Sequence, residues 1–304
     1  MPDVPELLDA LDLAIVRTED IVTADLRDEM VDLARRSRLR SGFLGEVLVV
    51  ALAGGTGSGK SSLVNALVGF PVVETGVVRP TTQTAIAVTP PDMAADLEPL
   101  LAALGVERCL TDHGVDDFVF IDLPDFDSIE EAHRHVVDEV MPRVDAVVWV
   151  LDPEKYADPV LHHQFLAHLT GYDSQFIFAL NQADRLGSDV DEAMHTLGAL
   201  LAGDGFAEPR MCATIARTSS GAFEIDALTA AIGERLDTKR TAIAKLSIDC
   251  LAIAGTGWSA CRAVDVRNAG DVARDRVALG AATFVSLGVT AFGLKHAMVG
   301  GEDT

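Results

Sequence analysis

Residues 46–69 read EVLVVALAGGTGSGKSSLVNALVG. After Glu46 the first half is an uncharged run of Val, Leu and Ala, the mark of a strand buried on both faces. It ends in Gly54-Gly55-Thr56-Gly57-Ser58-Gly59-Lys60-Ser61-Ser62, which fits GxxxxGK[ST] and leads into a helical pattern. Strand, glycine-rich turn and helix start, in that order, gather backbone N–H groups and a positive dipole end around one anion. The glycines let the backbone wrap phosphates, Lys60 reaches the β and γ oxygens, and the Ser61 hydroxyl ligates Mg²⁺. The expectation is a nucleotide phosphate site from Gly54 to Ser62, and the motif alone selects neither ATP nor GTP.

Outward from this stretch, five more short apolar runs alternate with helical segments: TAIAVT (84–89), DFVFID (117–122), DAVVWVLD (145–152), QFIFALN (175–181) and MCATIAR (211–217). Such runs require a mostly parallel sheet covered on both faces. The expected fold class is α/β, a P-loop NTPase with a six-stranded, mostly parallel sheet and helices on both faces. Residues 1–45 show apolar positions at helical spacing and form an N-terminal helical extension. The nucleotide-binding domain spans 46–238. Residues 239–304 form a C-terminal helical region, in which 239–262 is interrupted by Gly255 and Gly257.

The 304 residues carry 24 Lys and Arg against 47 Asp and Glu, a formal charge of −23. A surface this acidic repels nucleic acid and anionic lipid at long range, so no nucleic-acid partner is expected. The four cysteines share no metal-ligand spacing, which fits a reducing cytosol. The acidic N-terminus lacks the basic region of a signal peptide, so a cytoplasmic location is expected.

The base is read where QFIFALN ends in Asn181-Gln182-Ala183-Asp184. A carboxylate there accepts from the guanine N1–H and 2-amino group, a donor pair that adenine lacks. Asn181 ties this loop to the phosphate loop. Asp122, ending DFVFID, is the Mg²⁺ partner acting through water. An ordinary strand-end cap is the alternative for Asn181 and Asp184. No LSGGQ segment and no acid directly after Asp122 support an ATPase reading.

Asn181-Gln182-Ala183-Asp184 resembles the NKxD motif of GTPases, with Gln182 in the lysine place. Asp122-Leu123-Pro124-Asp125 resembles DxxG, with Asp125 in the glycine place. Arg79-Pro80-Thr81-Thr82-Gln83 is similar to switch I of Era/TrmE-like and dynamin-like GTPases. That resemblance implies that Thr82, or Thr81 beside it, closes over Mg²⁺ and the γ-phosphate. Segment 216–228 is loosely similar to the guanine-contacting loop of Era-like proteins, which implicates Thr218, Ser219 and Ser220. The chain thus resembles bacterial Era/TrmE-like and dynamin-related GTPases over 46–238. This implies GTP and GDP as ligands, Mg²⁺, and slow or partner-stimulated hydrolysis with Lys60, Thr82 and Asp125 in the catalytic set.

Phe126 stands where many such enzymes carry a water-orienting glutamine, so the resemblance implies help from another side chain, a monovalent cation or a partner G domain of a homodimer. Gly57 stands where the potassium-dependent branch has asparagine. A carboxylate at Asp125 4 Å from the γ-phosphate would cost about 4 kcal/mol at an effective dielectric of 20. It therefore turns away, or it positions water itself. A GTP-dependent switch or scaffold that does not hydrolyse is the competing class. His133 and His135 point to different helix faces and Arg79 reads as a surface residue.

Residues 277–294, VALGAATFVSLGVTAFGL, hold no charge. Eighteen such residues are the lower edge of a membrane-spanning helix. Membrane contact, burial against the N-terminal helices and a mobile tail are the readings left open. The acidic body with little basic flanking gives no electrostatic pull to lipid.

Overall fold

The structure is a computed structural model that describes residues 4–17, 22–38, 47–73, 84–111, 115–124, 135–216 and 224–263. Within it the chain divides into two compact units, one inside 41–236 and the other built from 1–40 and from 237 onward.

The larger unit is a seven-stranded sheet of β1 (Leu48–Gly54), β2 (Ala85–Thr89), β3 (Val106–Thr111), β4 (Phe118–Asp122), β5 (Ala146–Leu151), β6 (Phe176–Asn181) and β7 (Met211–Thr214). The order is β3-β2-β4-β1-β5-β6-β7. Strands β4, β1, β5, β6 and β7 run parallel; β2 pairs antiparallel with β4, and β3 follows β2.

Six strands coincide with the apolar runs, and β3 is the seventh. Its sequence, VERCLT, has exposed Glu107, Arg108, Cys109 and Thr111 because it is the edge strand. An edge needs no apolar run and is protected by charge, which hides it from a search for buried strands.

All seven residues of β1 are buried, since successive side chains enter opposite cores. Val49, Ala51 and Ala53 join one core with Leu97 and Leu101 of α4 (Ala94–Ala103), Phe165 after α5 (Pro159–Gln164), and Leu197 and Leu201 of α6 (Val190–Asp204). Leu48, Val50 and Leu52 join the other with Leu63 and Val64 of α3 (Lys60–Val68) and with Leu228, Ile232 and Leu236 of α7 (Asp226–Ala263). Each fully buried Leu, Val or Phe contributes about 1.5–3 kcal/mol, so β1 is fixed from both sides and the loop after it inherits that rigidity.

His162, to which the sequence assigned nothing, is buried. Its Nδ1 lies 2.5 Å from Asp204 Oδ2 and its Nε2 2.8 Å from the Tyr156 carbonyl, pinning α5 to α6.

In the second unit, α1 (Val4–Arg17) and α2 (Ala24–Arg38) contact each other. Their buried residues, Leu8, Leu11 and Ala14, then Leu26, Met30, Leu33 and Ala34, recur at helical spacing. Thr23 caps α2 by accepting from the Leu26 N–H at 3.3 Å. Helix α7 runs through Gly255 and Gly257, where an interruption was expected. A helical glycine costs roughly 1 kcal/mol relative to alanine, too little to break a 38-residue helix. Among the described residues no helix is long and apolar enough to cross a membrane; 277–294 lies outside them.

Candidate functional site

The phosphate loop needs its glycines for different reasons. Gly54 has φ +146°, and a Cβ there would lie 2.3 Å from the Val150 carbonyl oxygen of β5. Gly59 has φ +96°, and a Cβ would lie 2.4 Å from Asn181 Nδ2. The first permits β1 to pack on its neighbour as the chain turns; the second permits the base-end loop to close on the phosphate loop.

Lys60 is buried and its Nζ donates to the Gly54 carbonyl at 3.0 Å, arching over the loop it follows. Ser61 donates from Oγ to Asp122 Oδ2 at 2.5 Å. Register places these groups together, because β4 lies beside β1 with Asp122 opposite Leu52, and Asp122 is fully buried. Two hard oxygens thus meet at the start of α3. Phosphate oxygens and water could complete a Mg²⁺ shell there, so the donor set fits that ion. The Ser58 hydroxyl is buried with no hydrogen-bond partner, an orphaned group of the kind an oxygen-rich ligand satisfies.

The base end is assembled by Asn181. Its Nδ2 donates to the Ser58 carbonyl at 2.9 Å, while its Oδ1 accepts from Thr214 Oγ1 and from the Ala216 N–H, both at 3.2 Å. One buried amide therefore joins the phosphate loop, β6 and the end of β7. Because the peptide is trans, fixing the Ser58 carbonyl turns the Gly59 N–H to the opposite side. Gln182 adds a second tie, Nε2 to the Gly57 carbonyl at 2.8 Å. It is the one residue other than glycine with positive φ among those described, at +59°.

A cavity of about 280 Å³ lies at this junction, lined by Gly59, Ser62, Asn181, Gln182, Asp184, Arg185, Ile215 and Ala216. Asp184 is exposed at its rim. The sequence reading missed Arg185, Thr214, Ile215 and Ala216. The last three lie within the apolar run 211–217, whose apolar pattern marks a strand and not a ligand contact, so the signal for them was adjacency of β7 to β6. It also missed Asn65. This buried residue of α3 accepts from Val72 and Val73 N–H and donates to the Val73 carbonyl, fixing the chain that leaves the helix.

The structure thus brings Gly54, Gly55, Thr56, Gly57, Ser58, Gly59, Lys60, Ser61, Ser62, Asp122, Asn181, Gln182 and Asp184 to one end of the sheet. Arg79, Thr81, Thr82, Asp125, Phe126, His133, Thr218, Ser219 and Ser220 lie outside the described residues. No group of three or more His, Cys, Asp or Glu that could hold a metal occurs among the described residues.

Residues 49–182 match the family model described as 50S ribosome-binding GTPase. With the sheet order and the phosphate loop, this gives the larger unit the α/β fold of a P-loop GTPase. The chain is similar to an FZO-like transmembrane GTPase of the Arabidopsis thaliana chloroplast, 26% identical over 164 residues, which are 49% of this chain and 17% of that protein. Among solved structures it is similar to a bacterial dynamin from an oligomerised pair described as sensing and tethering membranes, at 14% identity and TM-score 0.49, covering 98% of this chain and 53% of that one. Toc33 from Arabidopsis thaliana with GDP and Mg²⁺ is similar at 15% identity and TM-score 0.42, over 75% of this chain and 97% of that one. The chain spans less than a fifth of the FZO-like relative and about half of the bacterial dynamin.

Proposed function

We propose that the chain binds GTP and GDP with Mg²⁺ and hydrolyses GTP slowly or with a partner's help, as a switch or dynamin-like assembly GTPase. The observation that carries this reading is the cavity lined by both Gly59 and Asp184, closed by the Asn181 bond to Ser58. One ligand with a phosphate chain at one end and a polar heterocycle at the other suits it.

In this reading Gly54 to Ser62 cradle the phosphates, Lys60 leaves the Gly54 carbonyl to meet the β and γ oxygens, and Ser61 and Asp122 hold Mg²⁺, Asp122 through water. When bound, Mg²⁺ neutralises charge on the β and γ phosphates. Asp184 accepts from guanine N1–H and the 2-amino group, with Asn181 and Gln182 holding its loop and Thr218, Ser219 and Ser220 completing it. Thr82 closes on Mg²⁺ and the γ-phosphate, and Asp125 either turns away or positions water. The domain boundaries proposed are 1–45, 46–238 and 239–304. Pairing of two G domains supplies catalytic help, and 277–294 is the candidate membrane contact of an otherwise cytoplasmic protein, in keeping with the membrane character of the FZO-like relative.

Titration of GTP, GDP and ATP with Mg²⁺, followed by phosphate release against protein concentration, tests it. Guanine nucleotides should bind at least about 100-fold tighter than ATP, given the unpaired carboxylate that adenine leaves. Release per molecule should rise with concentration. Equal binding of ATP would defeat the guanine reading. Tight GTP binding without turnover at any concentration would make the chain a switch that does not hydrolyse.

A further inference from the structure

Arg185 lines the base-end cavity, and no motif assigns it a role. Its guanidinium is gripped at two corners: Nη1 donates to Gln182 Oε1 at 2.8 Å, and Nη2 pairs with Glu154 in the segment after β5. Gln182 passes the restraint on, through its bond to the Gly57 carbonyl. A chain of side chains therefore runs from the phosphate loop to Glu154, with a cationic plane at its centre. A guanidinium fixed in this way has already given up the freedom that stacking would otherwise cost it.

The other lining groups divide the labour. Among the described lining residues Asp184 is the one carboxylate, and it accepts in-plane hydrogen bonds, so it reads the edge of a base. Ile215 and Ala216 offer apolar surface and no discrimination. Among the described lining residues, the held guanidinium is the group that supplies a partner for the π-face of a flat heterocycle.

We propose that Arg185 covers the face of the bound purine and sets the affinity for the base without choosing which base binds. This rests on the guanine-nucleotide reading above. The competing account is an exposed ion pair with Glu154, which contributes little; its side chains are 45% and 65% exposed.

The test uses the full chain, wild type and the Arg185→Ala, Arg185→Lys, Asp184→Asn and Arg185→Ala/Asp184→Asn variants, titrated with GDP, xanthosine diphosphate and inorganic tripolyphosphate in Mg²⁺. Asp184→Asn should exchange guanine for xanthine preference, because an amide N–H complements the 2-oxo group. Arg185→Ala should weaken GDP on the order of 10-fold, and weaken xanthosine diphosphate by the same factor in the Asp184→Asn background, since a face contact is blind to edge groups. Tripolyphosphate binding should not change. Arg185→Lys should recover only part of the loss, because an ammonium keeps the charge but not the plane.

Wild type that fails to bind GDP overturns the guanine reading itself. Wild type that binds GDP while Arg185→Ala stays within twofold overturns only the role of Arg185. Equal weakening of GDP and tripolyphosphate also overturns it, since the arginine would then act on the phosphate loop.

Discussion

The two ends of the nucleotide site are built on different principles. The phosphate end is nine consecutive residues running from the last residue of the strand that lies fourth in the sheet into α3, made largely of backbone, and its shape follows from glycine and a helix start. The base end is assembled from β6, the end of β7 and the segment after β5, which meet only in the fold and are held by the Asn181 amide and the Arg185–Glu154 ion pair. Contiguous backbone tolerates change in side chains but not in Cβ count; an assembled end tolerates neither the loss of a hub nor its displacement.

The largest effect should come from joining the two failures in one substitution. Gly59→Ala places a Cβ 2.4 Å from Asn181 Nδ2 at φ +96°, so it strains the phosphate loop and expels the hub of the base end together. Strain and lost hydrogen bonding should total about 2–4 kcal/mol, and GTP binding should vanish in calorimetry. Gly55 has nothing within 4 Å of its would-be Cβ, so Gly55→Ala should melt within a degree or two of wild type. Equal melting losses for both would show that the loop does not distinguish its ends.

Asn181→Ala should come next. It strands the Ser58 carbonyl and the Ala216 N–H, both in buried residues, at about 2–4 kcal/mol. Because the phosphate loop keeps its glycines and Lys60, tripolyphosphate should still bind while GDP affinity falls steeply. Loss of both ligands in parallel would mean that the two ends are one unit.

Cys212, two residues before Thr214, reports on the base end from behind. Its thiol is pushed up to about 12, chiefly by burial, with Arg210 pulling the other way. A raised value means that the neutral thiol is the form the fold holds. Its contribution is complete below the ordinary value of 9.0 and is lost as pH rises toward about 12. At pH 8 its thiolate fraction is roughly 1,000-fold below that of an ordinary thiol. In a Cys250→Ser/Cys261→Ser background, a thiol reagent should label exposed Cys109 quickly and Cys212 only on opening. Asn181→Ala should speed the Cys212 reaction and leave Cys109 alone. Equal acceleration at both would indicate global loosening.

The same contrast explains what was legible from sequence. Gly54 to Ser62 could be read because neighbours in the chain are neighbours in the site. Asp122 and Asn181 could be read because apolar runs mark strands and strand ends mark one edge of the sheet. Arg185 and Ala216 could not, since they join the site through partners about 30 residues away, Glu154 and Asn181, and contacts between loops leave no periodicity. Strand β3 escaped because the signal sought was burial, and an edge strand is selected for the opposite.

The smallest effect should come from Gln182, where two opposing terms nearly cancel. A non-glycine residue at φ +59° stores on the order of 1 kcal/mol, and it persists here because both ends of the amide are engaged, one with Gly57 and one with Arg185. Gln182→Gly releases that strain and loses two hydrogen bonds, the second on an exposed arginine, together worth roughly the same amount. The nucleotide-free protein should therefore melt within about 2 °C of wild type. The nucleotide-bound protein should not: with Arg185 no longer gripped through Gln182, GDP should stabilise the variant less than wild type, by a few degrees at saturation. A large shift without nucleotide would show that the strain at Gln182 is not balanced locally. Identical shifts with GDP would show that the base end does not depend on the link to Gly57 at all.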